Sequence, residues 1–139
     1  MDSKAFDVSD SDYLTLAAFR AALRKFLRTS EEIAHGLGLT PQKHQAMLAV
    51  RGFPGNNPPT IGELAAKLHV RHNSAVGLIT RIEKEGYVKR EKSKTDQRRM
   101  HVRLTPKGQA LLDKLTEAHR IELRHIGPEI TRLLKELTR

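Results

Sequence analysis

The sequence predicts a mainly α-helical chain of class α+β, with one small β-hairpin set between helices. Three observations lead there. Apolar residues recur at helical spacing over most of the 139 residues. A threonine followed by proline opens such a run twice, at Thr40-Pro41 and Thr105-Pro106, with a cap and then the first helical position. The apolar period changes from 3.6 to 2 only after Gly86.

Taken in order, the first helix is expected from about Asp12 to Leu37, since Leu16, Phe19, Leu23, Phe26, Leu27 and Ile33 share a face. Ser9, Asp10, Ser11 and Asp12 offer caps, and Gly36 and Gly38 close it. A second helix starts at Thr40-Pro41 and carries Ala46, Met47, Leu48 and Val50. The stretch from Gly52 to Pro59 is built mostly of glycine and proline and reads as a surface loop. Thr60 and Glu63 form a capping box for a short helix, Ile61 to Leu68. His69, Val70 and Arg71 make a turn, and a fourth helix runs to Glu85, stopped by Gly86. Tyr87 and Val88, then Val102 and Leu104, alternate with charged residues and predict two short antiparallel strands joined by a polar loop, Glu91 to Arg99. After Thr105-Pro106 a helix is expected through Leu111, Leu112, Leu115, Ala118 and Ile121 to about Ile126. Gly127-Pro128 is expected to break it, leaving Ile130, Leu133, Leu134 and Leu137 on a separate last helix.

The middle of this order resembles a helix-turn-helix with a β-hairpin wing. The length suits one domain, residues 1–139, with the winged helix-turn-helix lobe at 40–105. The outer segments, 10–38 and 106–139, carry apolar faces too broad for a thin winged lobe to cover. A symmetric dimer built from both termini would bury them.

Composition narrows the function. No cysteine is present, which excludes disulfides, thiolate-zinc sites and iron–sulfur clusters. No run approaches the roughly 18 apolar residues of a membrane span, and the acidic N-terminus lacks the profile of a secretory signal, so a soluble cytoplasmic protein is expected. The net charge of +9 is unevenly placed. Residues 1–68 hold 8 Lys/Arg against 7 Asp/Glu, residues 69–107 hold 11 against 4, and residues 108–139 hold 6 against 5. Charge gathered in one 39-residue stretch is the footprint of a surface that meets phosphates, the plainer alternative being a solubility face.

Two groups of residues fit such a surface. On the fourth helix, Ala75, Leu78, Ile79 and Ile82 form the apolar side. His72, Asn73, Ser74, Gly77 and Arg81, with Arg71 just before, lie opposite or at the exposed start, where a recognition helix meets base edges. Gly77 would allow close approach, while Asn73 or Ser74 could instead simply cap the helix. In the wing, Lys92, Lys94, Arg98 and Arg99 are basic, and an arginine at a hairpin tip can enter a narrow minor groove. Asp96 could accept from Arg98 or from loop N–H groups and hold the tip in one shape; the alternative is a loose loop touching phosphates only. The seven histidines form no H-x-x-x-H or H-E-x-x-H spacing, so no metal or cofactor is expected. No Gly-rich phosphate loop, G-x-S-x-G or paired nucleophile is present, and an enzyme is not expected.

Four segments in order, Thr60–Leu68, Arg81–Arg90, Asp96–Arg99 and Val102–Gly108, resemble the MarR family of winged-helix regulators. The resemblance implies a homodimer with interlocked terminal helices and two winged lobes reading adjacent half-sites of a near-palindromic duplex, about one turn or 34 Å apart. It implies that Arg98 enters the minor groove while Asp96 orients it. It also implies a repressor released by a small aromatic or phenolic effector, bound where the first two helices meet the start of the fifth, with His44 and Met47 as lining residues. Core packing is the plainer account of Met47. The chain departs from the family pattern at Gly77 and Thr80, where an arginine and an acidic residue are common, so base preference does not transfer. Lack of cysteine excludes the thiol-based peroxide-sensing branch. Two other functions remain open on sequence alone: a nonspecific architectural DNA-binding protein, and a module whose basic face meets an acidic partner.

Overall fold

A computed structural model describes residues 6–96 and 98–139; the first residues of the acidic N-terminus and Gln97 of the wing lie outside it. The elements are α1 (Asp10–Gly36), α2 (Pro41–Arg51), α3 (Ile61–Leu68), α4 (His72–Lys84), β1 (Val88–Lys92), β2 (Met100–Leu104) and α5 (Pro106–Leu137). The class is the expected one, mainly α with a two-stranded antiparallel wing.

Helix starts follow local chemistry. Of the four possible caps on α1, Ser9 takes the position, because it alone places an acid, Asp12, at the third helical residue to answer it. The Asp12 N–H donates to Ser9 Oγ at 3.3 Å and the Ser9 N–H donates to Asp12 Oδ2 at 2.8 Å. Thr40 accepts from the Lys43 N–H, and Thr60 and Glu63 complete the reciprocal box on α3. The turn between α3 and α4 needs a left-handed residue, supplied by His69 at φ 55°.

Leu39, Met47, Leu64, Ile79, Ile82, Val88, Val102 and Leu115 form the core, shared by every helix of the lobe, both strands and the first half of α5. The loop after α2 is tied to the wing at its far end. Pro59 O accepts the Val102 N–H at 2.8 Å, and Pro58 O accepts from His101 Nδ1 at 2.6 Å. Prolines suit that place, since they offer carbonyls to the open edge of β2 and bring no N–H of their own.

The structure corrects two expectations. The strands run further than alternation indicated, pairing from Val88↔Leu104 to Lys92↔Met100, so Lys92 lies in β1 and the loop proper is Ser93 to Arg99. The hairpin stands clear of the core there, and a strand with two solvated faces carries no apolar alternation. Second, Gly127-Pro128 does not end a helix: α5 continues through Pro128 to Leu137. An internal proline costs about 3 kcal/mol by orphaning one carbonyl. Ile126 and Leu133, buried on either side of it where α5 packs along α1, return about 1.5–3 kcal/mol each. Packing therefore overrides the local signal.

Candidate nucleic-acid interface

The start of α4 is open. Arg71 occupies the N-cap position and makes no side-chain cap bond, so neither Asn73 nor Ser74 caps the helix. Arg71, His72, Asn73 and Ser74 are all exposed, as is Arg81 two turns on, while Ala75, Ile79 and Ile82 are buried on the opposite face. Gly77 lies between these faces, and a Cβ placed there would meet only the Arg81 guanidinium, at 3.4 Å.

The wing tip has a defined shape. The buried Ser93 accepts the N–H groups of Thr95 and Asp96 on its hydroxyl, each at 3.2 Å, and its own N–H donates to Arg99 O at 2.9 Å. Asp96 Oδ1 accepts the Arg98 N–H at 3.1 Å and lies 3.5 Å from Arg98 Nε. Arg99 stands 3.9 Å from the other carboxylate oxygen. Asp96 thus sits under the tip while the Arg98 side chain, 94% exposed, projects from it. Lys92 and Lys94 are also exposed.

Helix start and wing tip face one cleft, lined by Thr60, Gly62, Glu63, His72, Arg98, Arg99 and Met100. Sequence reading missed the share of the α3 N-terminus in this cleft, and missed Ser93 as the tip's anchor. It also missed a bridge from wing to helix: Arg90 on β1 donates to Glu83 on α4 through its backbone N–H at 3.0 Å and through Nη2 at 2.8 Å. Both residues stood in the motif Arg81–Arg90, but their pairing depends on a turn that spacing alone does not specify.

The two expected effector residues lie elsewhere. Met47 is fully enclosed in the core, and His44 is 7% exposed, its ring stacked on that of His119 at 4.8 Å between centroids. The groove open to solvent between α2 and α5 is lined instead by Leu48, Arg51, Leu112, Asp113, Glu117 and Arg120. Among the described residues no three His, Cys, Asp or Glu side chains are grouped to hold a metal ion, and no described helix is long and apolar enough to cross a membrane.

Comparison with known proteins places this geometry. A family model described as MarR family matches residues 37–99. A putative transcriptional regulatory protein for the hcr operon of Thauera aromatica is 31% identical over 98 residues, covering 70% of this chain and 55% of the relative. The HTH-type transcriptional regulator FarR of Neisseria gonorrhoeae is 35% identical, covering 63% of each. The match thus spans between half and two thirds of these relatives' lengths. A MarR family protein from Bacillus stearothermophilus has the same fold, with TM-score 0.74 and 19% identity over 95% of this chain and 99% of that one. So does a mutant of MepR from S. aureus, bound in its structure to an oligodeoxyribonucleotide, with TM-score 0.69 and 17% identity over 94% and 99%. The sequence match shows a MarR-family winged helix-turn-helix over residues 37–99, and the solved structures show the same fold along the whole length.

Proposed function

We propose that this chain is a dimeric, sequence-specific DNA-binding transcriptional regulator, acting as a repressor released by a small aromatic or phenolic compound. One observation carries the DNA reading. Arg98, held at its base by Asp96 and otherwise free in solvent, shares a cleft with His72 at the open start of α4. A helix start and an arginine-tipped hairpin held together are a reader for two adjacent grooves. His72, Asn73 and Ser74 offer hydrogen-bonding groups to base edges; Arg71, Arg81, Lys92, Lys94 and Arg99 meet phosphates. The curated relatives are named as transcriptional regulators, and the MepR neighbour is bound to DNA, which supports the same partner here.

The dimer in this reading uses α1 and α5, where Leu14, Leu16, Leu27, Ile121 and Leu134 are exposed. The effector's place is the side where α2 meets α5. Met47 and His44 are buried on the inner side of α2 and do not line it; the groove offers Leu48 and Leu112 to an aromatic ring, with Arg51 and Arg120 set beside Asp113 and Glu117 as its polar groups.

The test is selection from a random duplex pool, followed by fluorescence anisotropy on the selected site across salt. Enrichment of an inverted repeat with one-turn half-site spacing is expected, and Arg98→Ala should weaken that site roughly tenfold or more, in line with losing a charged contact. Binding that depends on salt but enriches no sequence would instead mean an architectural protein. Absence of duplex binding at low salt would point to an acidic protein partner.

A further inference from the structure

Resting on the DNA-reading function proposed above, we propose that Arg90 and Glu83 are positioning residues: a clamp that holds the wing at a set angle to the recognition helix, so that discrimination between sequences depends on them more than general affinity for DNA does. Arg90 follows Val88 on the inward face of β1, two residues on. Val88 is in the core; Arg90 sits where the hairpin leaves it, and there the apolar contact gives way to a polar one. Three donors of Arg90 converge on one carboxylate: the backbone N–H on Oε2 at 3.0 Å, Nε on Oε1 at 3.2 Å and Nη2 on Oε1 at 2.8 Å. Nη2 also lies 3.5 Å from Thr80 Oγ1, whose own proton is given to Val76 O at 2.8 Å, leaving the oxygen free to accept.

The geometry ties strand to helix in more than one direction. A backbone donor and a planar fork on the same acid restrict rotation as well as distance, which a single ion pair does not. The two elements are also joined through a tight turn at Gly86, φ 83°, and through Val88, which shares the core with Ile79 and Ile82 at the hairpin base. Hydrogen bonding from Arg90 holds the Glu83 carboxyl below its ordinary carboxylate range, so the pair stays ionised wherever DNA binding is measured. Because its charges cancel, the pair adds nothing net to attraction for phosphates. A wing free to tilt keeps every basic side chain and loses only the registration of Arg98 with the α4 start.

That difference gives the test its sign. Glu83→Gln removes a negative charge from the basic stretch, so electrostatics alone predicts tighter binding to every duplex. The clamp predicts roughly tenfold weaker binding to the selected site, with affinity for a mixed-sequence duplex unchanged or raised, because the charge-assisted bonds are lost but the phosphates are still met. Arg90→Lys keeps the charge, loses the fork and should lower the same ratio of affinities. Both variants are measured by anisotropy on the two duplexes, with thermal melting followed by circular dichroism. A raised or unchanged affinity on both duplexes overturns the clamp. So does an equal loss on both with a lowered melting temperature, which marks a structural pair. The wild-type protein is measured first, and if it does not prefer the selected site the DNA-reading function itself falls before any variant is made.

Discussion

At residue 77 the missing side chain is not something the fold requires. Gly77 has no positive φ, and an added Cβ would touch only the mobile end of Arg81. Glycine inside a helix costs about 0.5–1 kcal/mol relative to alanine. A cost borne on the face beside His72–Ser74, with no packing reason, fits a surface that another molecule approaches closely. Gly77→Ala is therefore expected to stabilise the free protein by about that amount while weakening binding to the selected duplex. Denaturant melts and anisotropy would show the two changes in opposite directions, and unaltered site affinity would remove position 77 from the interface. Gly108 is the contrast: a Cβ there would lie 2.0 Å from Tyr87 O, so its glycine is fixed by the seating of α5 on the base of the wing. From sequence the two glycines look alike; only their neighbours separate a binding reason from a packing one.

Among elements, the helix starts and most helix ends were legible, and the one end that was not is the break expected at Gly127-Pro128. Thr40, Thr60 and Thr105 each cap the helix that follows, because capping is settled within three residues. The continuation of α5 past Pro128 is settled by α1, a hundred residues away in the chain, and leaves no local trace. The wing's basic side chains could be read off the sequence, but their anchors, Ser93 and the Glu83 carboxylate, required the hairpin's register. The junction of α1, α2 and α5 was equally hidden. There the His44 ring from α2 stacks on His119 of α5. His119 Nδ1 lies 2.6 Å from Leu115 O, and its Nε2 lies 2.6 Å from Ser30 Oγ of α1. Phe26 of α1 meets the His119 ring edge-on, and Lys43, beside His44, is turned to Glu85 at the C-cap of α4. Burial first, and then the His119 charge, push the His44 pKa below its ordinary 6.5. The unfolded chain then takes up a proton at a pH where the folded junction does not. Stability from this ring is thus full above 6.5 and lost as pH falls through the lowered folded-state value. The slope is at most about 1.4 kcal/mol per pH unit while one proton is involved. Melting temperature should fall from pH 7 to pH 5, and His44→Phe, which keeps an aromatic ring in the stack, should flatten that fall. An equal fall in both proteins would place the acid-sensitive group elsewhere.

For the molecule as a whole, surface area bears on assembly. A compact monomer of 15.7 kDa is expected to expose about 7300 Å². This chain exposes 10189 Å², and α1 and α5 bear much of the apolar part, with Tyr13, Leu14, Leu16 and Leu27 on one and Ile121, Leu123 and Leu134 on the other. An obligate homodimer buries about 1000–2500 Å² on each chain, enough to cover most of this excess, and the exposed apolar residues of α1 and α5 are where it would do so. The charge is divided in the same sense: the terminal segments are near neutral and the excess sits on the lobe, so two copies joined through their termini would bring little like charge together. Leu16 and Leu27 lie eleven residues apart, three helical turns, on one face of α1. Both are exposed in the single chain, so arginines there leave its own core intact. Leu16→Arg combined with Leu27→Arg should sediment as one chain while the wild type sediments as two. The double variant should also lose the steep preference for an inverted repeat, since one lobe reads one half-site. Retained pairing in the variant would move the dimer surface off α1, and a wild type that sediments as a folded single chain at micromolar concentration would remove the dimer, and with it the palindromic site.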